Sequence, residues 1–289
     1  MGRAEGARLG TGVDDAPSSR AAALGRRTVS TLVLLPIFVW IVMAGPAWLF
    51  AVTIVLVAAL GQWEFTGMFE RAGIRTFRLV GLAGGTLVTA SFTLPVSEPL
   101  VFTAVLLSVV AASLYRPPGG GIAWEPLAVT LLGICYVNWL LGYGFWLRDL
   151  EAGTAWVLLL VSVTWLGETA AYLVGSLLGR TKLAPVISPR KTVEGALAQL
   201  VVSILAALGA RAWFFAALEP WQAVTVGVLL GVVGQIGDLA ESALKRSVGT
   251  KDTGHLIPGH GGILDRVDGL LFTTPVLFYY ASYGRTLHS

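Results

Sequence analysis

From Thr28 onward the chain alternates long apolar stretches with short polar breaks, and the length of those stretches constrains the fold more than any other feature. A hydrocarbon layer about 30 Å thick is crossed by roughly 17 to 25 apolar residues wound as a helix. About nine stretches qualify, near residues 28–45, 46–63, 79–95, 99–115, 126–147, 154–178, 196–217, 221–239 and 269–284. Inside lipid no water is available to backbone N–H and C=O groups, so such runs must close their hydrogen bonds internally. The expectation is an all-α, polytopic integral membrane protein with about nine transmembrane helices. Only Gly45 and Pro46 separate the first two stretches, which also suits a re-entrant hairpin. No repeat of 20 to 50 residues is visible, which argues against the inverted-repeat plan of many transporters.

Composition agrees with lipid as the solvent. The 289 residues are 55% hydrophobic and 13% charged, with a mean hydropathy of +0.74, and a water-soluble domain of this size could not hide so much apolar surface. The 35 glycines suit helices that pack backbone to backbone in a membrane, and the 10 tryptophans suit its interfaces. Cys135, the single cysteine, lies within an apolar run. It excludes a disulfide framework and a thiol-rich metal site, and its expected role is that of a small buried hydrophobe.

Residues 1–27 are rich in Gly, Ala, Ser and Arg without apolar periodicity, and read as a disordered cytoplasmic tail ahead of a single membrane-embedded catalytic domain, 28–289. Alternating the spans from that tail puts all of the 20 basic residues except Arg148, Arg211 and Arg285 on the tail's side. The net charge of +3 is therefore a topology signal rather than a nucleic-acid stripe, and no nucleic acid is expected as partner. The same orientation gathers the two most polar loops, 179–195 and 240–268, on the cytoplasmic face of an inner membrane.

The second of these loops is dense in ionisable groups, which are costly in so apolar a chain unless they are used. If the eighth span stays helical past Asp238, then Glu241, Ser242 and Lys245 follow at i+3, i+4 and i+7 on one face. Asp265 and Asp268 sit three apart at the start of the ninth span, so packing the two helices would bring carboxylates together from both. Such an all-oxygen site suits Mg²⁺, with Asp238 and Asp265 as ligands and Glu241 and Asp268 holding nearby cations in place. Lys245, Arg246, Lys251 and Arg266 nearly balance the acids, including Asp252, so a merely solvated loop is the ordinary alternative. Against it stand Gly259, Gly261 and Gly262 around His260, glycines that permit positive φ and close approach of backbone N–H groups to an anion such as pyrophosphate. In the first loop, Arg190 and Lys191 read either as topology and headgroup contacts or as phosphate ligands. Glu168, midway along the sixth span, is a candidate because ionisable groups there are rare; packing against a polar neighbour is the other reading.

The segment Ser242-Ala243-Leu244-Lys245-Arg246, then Lys251-Asp252-Thr253-Gly254, then Pro258-Gly259-His260-Gly261-Gly262-Ile263-Leu264-Asp265-Arg266-Val267-Asp268 resembles the signature of phosphatidate cytidylyltransferases, or CDP-diglyceride synthetases. Lys182-Leu183, Ser188-Pro189, Lys191-Thr192 and Glu194-Gly195 are similar to that family's other polar loop, and Trp63-Glu64-Phe65 is similar with less specificity. The resemblance implies a homodimeric multi-helix membrane fold, CTP and phosphatidic acid as substrates, and a divalent cation with K⁺ beside it. It implies metals on Asp238 and Asp265, and substrate contacts through Ser188, Lys191, Thr192, Glu194, Ser242, Asp252, Gly259, His260, Gly261, Gly262 and Asp268. It departs from the family at Glu168, where Asp is expected. Two other readings stand beside it. One is a CTP-using lipid-alcohol kinase, and the other is a transporter or scaffold that binds headgroups.

Overall fold

A computed structural model describes residues 35–115, 122–254, 256 and 261–283. The expected tail lies outside the described residues, as do Gly259 and His260. Each of the nine apolar stretches holds a helix. The first, α1, is helical over 35–43. It is followed by α2 (Ala47–Arg71), α3 (Arg78–Ser91) and α4 (Glu98–Leu114). One continuous rod then comprises α5 (Trp124–Gly133), a π-helical segment (Ile134–Trp139) and α6 (Leu140–Asp149). After α7 (Gly153–Leu178) the strands β1 (Lys182–Ala184) and β2 (Ser188–Thr192) form an antiparallel hairpin, and α8 (Val193–Trp213), α9 (Pro220–Ser247) and α10 (Leu264–Tyr283) follow within the described residues.

Five of these helices are long and apolar enough to cross a bilayer: Ala47–Arg71, Trp124–Asp149, Gly153–Leu178, Val193–Trp213 and Pro220–Ser247. The expected nine crossings are not all reached by that measure, because α3 has 14 residues and α4 has 17. The architecture is nearly all-α; the hairpin is the departure, in a segment read from sequence as a loop.

Helix ends follow local chemistry. Gly45 and Pro46 break α1 from α2, since a Cβ at Gly45 would lie 2.7 Å from the Ile41 carbonyl oxygen. α9 opens with Pro220 behind a reciprocal cap between Glu219 and Gln222. Helices α7 to α10 pack at close quarters where side chains are smallest: a Cβ on Gly227 of α9 would stand 2.5 Å from the Ile204 Cα of α8, and one on Gly237 would stand 2.9 Å from the Asp268 carbonyl of α10.

The larger apolar core gathers Trp156, Leu159, Phe215, Leu230 and Leu277, with Trp156 and Phe215 edge to face at 4.7 Å. A second cluster of Phe65, Met68, Tyr136, Leu264 and Leu271 supports the start of α10. The outward surface is apolar too, with Leu56, Leu100, Tyr172 and Leu177 all exposed. Soluble proteins rarely carry such a surface, whereas lipid solvates it, so this is a membrane protein. Cys135 belongs to that outward face and not to the core expected for it.

A polar triad ties the first half together. Asn138, in the π-helical segment, donates to Gln62 Oε1 of α2 at 3.1 Å and accepts from Thr89 Oγ1 of α3 at 3.1 Å, and all three are fully buried. Each such bond in a membrane contributes about 0.6 kcal/mol on average, but leaving one partner unpaired costs more, so the triad chiefly fixes register.

Candidate active site

α9 runs unbroken to Ser247, so Asp238, Glu241, Ser242 and Lys245 do share a helical face. The Lys245 ammonium lies 2.6 Å from Glu241 Oε2 and 2.8 Å from Asp265 Oδ1, joining α9 to the first turn of α10. Glu241 is 1% exposed and Asp265 8%, so neither charge could remain there without the lysine. The other Asp265 oxygen accepts the N–H groups of Gly262 at 2.9 Å and Thr253 at 3.2 Å. Burial works against charge on Asp265, yet Lys245 and these two N–H groups outweigh it and hold the carboxyl below the ordinary carboxylate range.

A second junction lies alongside. Lys191, from β2, places its ammonium 2.8 Å from Asp238 Oδ1. At that distance the ammonium engages one carboxylate oxygen, and a lysine has further donors beyond that contact. Glu168 of α7 lies within electrostatic reach of Asp268 and Asp238, and of Arg266 and Lys191. Its Oε1 is buried with no hydrogen-bond partner and packs on the Gly269 backbone, where a Cβ would overlap it.

The remaining expected residues divide. Asp268 is buried, with Oδ1 accepting its neighbour's N–H from Gly269 at 2.9 Å, and it faces Glu241 and Asp238. Gly261 adopts φ +84°, the conformation its glycine was expected to provide. Gly262 has a different reason to lack a side chain, because a Cβ there would overlap Thr253 Oγ1 and the Glu64 carboxylate rather than reach outward to an anion. Thr192 caps α8 by accepting from Gly195 N at 3.2 Å, and Glu194 accepts from the backbone N–H groups of Arg180 and Thr181 at 3.1 Å each. Both expected substrate contacts thus build the hairpin-to-helix corner. Arg246 is exposed and donates to the Thr250 carbonyl at 3.0 Å, away from the cluster. Ser188 and Ser242 are half-buried, and Lys251, Asp252 and Arg266 are exposed around the cluster.

The pattern of the cytidylyltransferase family matches residues 25–283 of this arrangement. The chain belongs to that family. The phosphatidate cytidylyltransferase of Staphylococcus haemolyticus (strain JCSC1435) is 31% identical over 261 residues, covering 87% of this chain and 96% of that protein. The protein of the same name from Staphylococcus saprophyticus is 36% identical over 178 residues, 62% of this chain and 66% of that one. The one from Staphylococcus aureus (strain COL) is 39% identical over 150 residues, 52% and 57%.

In this member of the cytidylyltransferase family two further residues form the site: Glu64, to which the less specific Trp63-Glu64-Phe65 match assigned no role, and Tyr136, which no motif marked. Glu64 of α2 is 3% exposed and accepts from Leu264 N at 2.9 Å, at the first residue of α10. Tyr136 is turned by the π-helical segment toward Glu241, Asp268 and Asp238, and its buried hydroxyl has no hydrogen-bond partner. Irregular helix turns of this kind concentrate at functional sites, but nothing in a continuous apolar run announces one.

The donor chemistry near Asp238 fits a hard divalent cation: Asp238, Asp268 and Glu168 are carboxylates on three helices, and one Glu168 oxygen is buried and unpartnered. Asp265 is already taken by Lys245 and two N–H groups. Among the described residues no group of three acidic, His or Cys side chains is assembled for a metal.

Proposed function

We propose that this enzyme transfers CMP from CTP to phosphatidic acid, giving CDP-diacylglycerol and pyrophosphate for phospholipid synthesis. The observation that carries the reading is the Lys191 to Asp238 ion pair, which joins the first polar loop to the acidic face of α9 in a chain belonging to the cytidylyltransferase family. Relatives that bear the name phosphatidate cytidylyltransferase supply the acceptor.

A non-bridging oxygen of the phosphatidate phosphate attacks the α-phosphorus of CTP. The new O–P bond forms as the bond from the α-phosphorus to the bridging oxygen breaks, and pyrophosphate departs with that electron pair. A phosphate monoester has its second pKa at about 6, so the attacking oxygen is already ionised and no strong base is needed. What the protein must supply is alignment and positive charge. In this reading Lys191, which has further donors, and Lys245, bridging α9 to α10, meet phosphate oxygens, and Lys251 and Arg266, both exposed, share the charge. Ser188, Ser242, His260, Gly259 and Gly261 complete the substrate contacts in this reading. Mg²⁺, with K⁺ beside it, would be held by Asp238 together with Asp268 and Glu168, since the other expected ligand, Asp265, is engaged by Lys245 and two N–H groups; the ion would neutralise charge on the CTP phosphates.

The reading extends to nine membrane crossings, an inner-membrane location with the site facing the cytoplasm, and a homodimer. The placement of basic residues supports the orientation, and the family resemblance supports the dimer.

The test is to give the purified full-length protein α-³²P-CTP, phosphatidic acid and Mg²⁺. Label entering the organic phase only when phosphatidate is present is the expected result. Transfer from γ-³²P-CTP to a lipid alcohol would make the protein a kinase, and failure to consume CTP with any divalent cation would remove the enzyme reading.

A further inference from the structure

Two residues of α2 reach the C-terminal polar loop from outside it. Glu64 and Arg71 are seven apart, two helical turns, and therefore lie on one face. Glu64 accepts from the N–H of Leu264 at 2.9 Å, so the cap for α10 comes from a residue 200 positions away. Its carboxylate also fills the space over two loop glycines, since a Cβ on either Gly254 or Gly262 would overlap it. One turn past Met68, Arg71 donates through Nη2 to the Thr253 carbonyl at 2.6 Å. Thr253 is fully buried, and its own N–H reaches Asp265 Oδ2, the oxygen that Gly262 N also donates to. The segment from Thr253 to Leu264 is thus held at one end by Arg71 and at the other by Glu64, while Asp265 ties the two ends to each other.

We infer that Glu64 and Arg71 are positioning residues: α2 clamps Thr253 on one side and Gly262 and Leu264 on the other, and so sets where Asp265, and through it Lys245, stand relative to the nucleotide phosphates. The kinetic part of this inference rests on the reaction proposed above; the clamp itself does not. A carboxylate in this place is more than filler, because a charged acceptor holds backbone N–H groups more strongly than a neutral one, and its loss leaves them buried and unpaired. Arg71 is exposed, so removing it leaves the apolar packing of α2 intact. Neither residue meets the reacting atoms, and their effect is transmitted through the backbone they hold. A displacement of about 1 Å in such a support costs about a hundredfold in rate.

The experiment uses the full-length protein in detergent, comparing wild type with Glu64→Gln, Arg71→Ala and Arg71→Lys by hydrogen exchange and by cytidylyl transfer. In Glu64→Gln and Arg71→Ala the amides of Thr253 and residues 262–265 should exchange at least about tenfold faster, with α7 and α8 unchanged. Their kcat should fall about a hundredfold while KM for phosphatidate stays within about twofold, and Arg71→Lys should recover most of both. Unchanged exchange at the loop in both variants would overturn the clamp, as would exchange that accelerates equally across α7 and α8. If Glu64→Gln does not fold, Arg71→Ala decides. If the wild type makes no labelled lipid, the reaction is wrong, and the exchange data still judge the clamp.

Discussion

The ammonium of Lys191 stands 2.8 Å from the carboxylate of Asp238, so a five-residue strand and a 28-residue helix meet at one pair of charges. The lysine is the part of this pair with donors to spare. Lys191→Met should therefore lower kcat/KM for cytidylyl transfer by about 10²- to 10³-fold, the usual effect of losing one preorganised charge contact. Lys191→Arg should retain more, and initial rates of labelled lipid formation at varied CTP measure both.

Lys245→Met should be a stability variant as well as a kinetic one. It leaves Glu241 and Asp265 buried without their cation, at a cost of about 3 to 5 kcal/mol. The double variant Glu241→Gln with Lys245→Met should recover part of that loss, because the two residues are coupled. Thermal unfolding in detergent checks the stability, and recovery of stability without recovery of turnover is the expected pattern.

Two glycines separate packing from propensity. Gly262→Ala puts a methyl group onto Thr253 Oγ1 and Glu64, so turnover should fall by at least about tenfold. Gly209→Ala, in α8 with open space around the new atom, should keep full activity and gain about 0.5 to 1 kcal/mol. Activity and melting temperature of the purified pair distinguish the two.

Chelation gives the metal its test. Treatment with EDTA should abolish label transfer, and Mg²⁺ should restore it in wild type but not in Asp238→Asn. Full activity in chelator, or normal metal dependence in Asp238→Asn, removes the ion from Asp238.

Much of the helical plan was legible because lipid leaves the backbone so few choices: each apolar stretch of sufficient length became a helix. The shared face of Asp238, Glu241 and Lys245 was legible for the same reason, since a helix once begun keeps its period through Ser247. The hairpin was not, because strands of three and five residues are too short for alternation to register. The resemblance offers Thr192 and Glu194 as substrate contacts, whereas a threonine directly before an apolar run is also the ordinary signal of a helix cap, the role Thr192 has here. Glu64 shows where pattern reading ends, because no periodicity links a carboxylate in α2 to an amide at Leu264.

That separation also has a consequence for biogenesis. Synthesis proceeds at about 5 to 20 residues per second, so Glu64 leaves the ribosome roughly ten to forty seconds before Leu264, 200 residues later. During that interval the carboxylate has no Leu264 N–H to accept from, and Gly254 and Gly262, which pack against it, do not yet exist. Assembly of the site must therefore wait for α10, and a nascent chain halted before that helix would lack the Leu264 amide and the Asp265 carboxylate that hold Glu64 and Lys245.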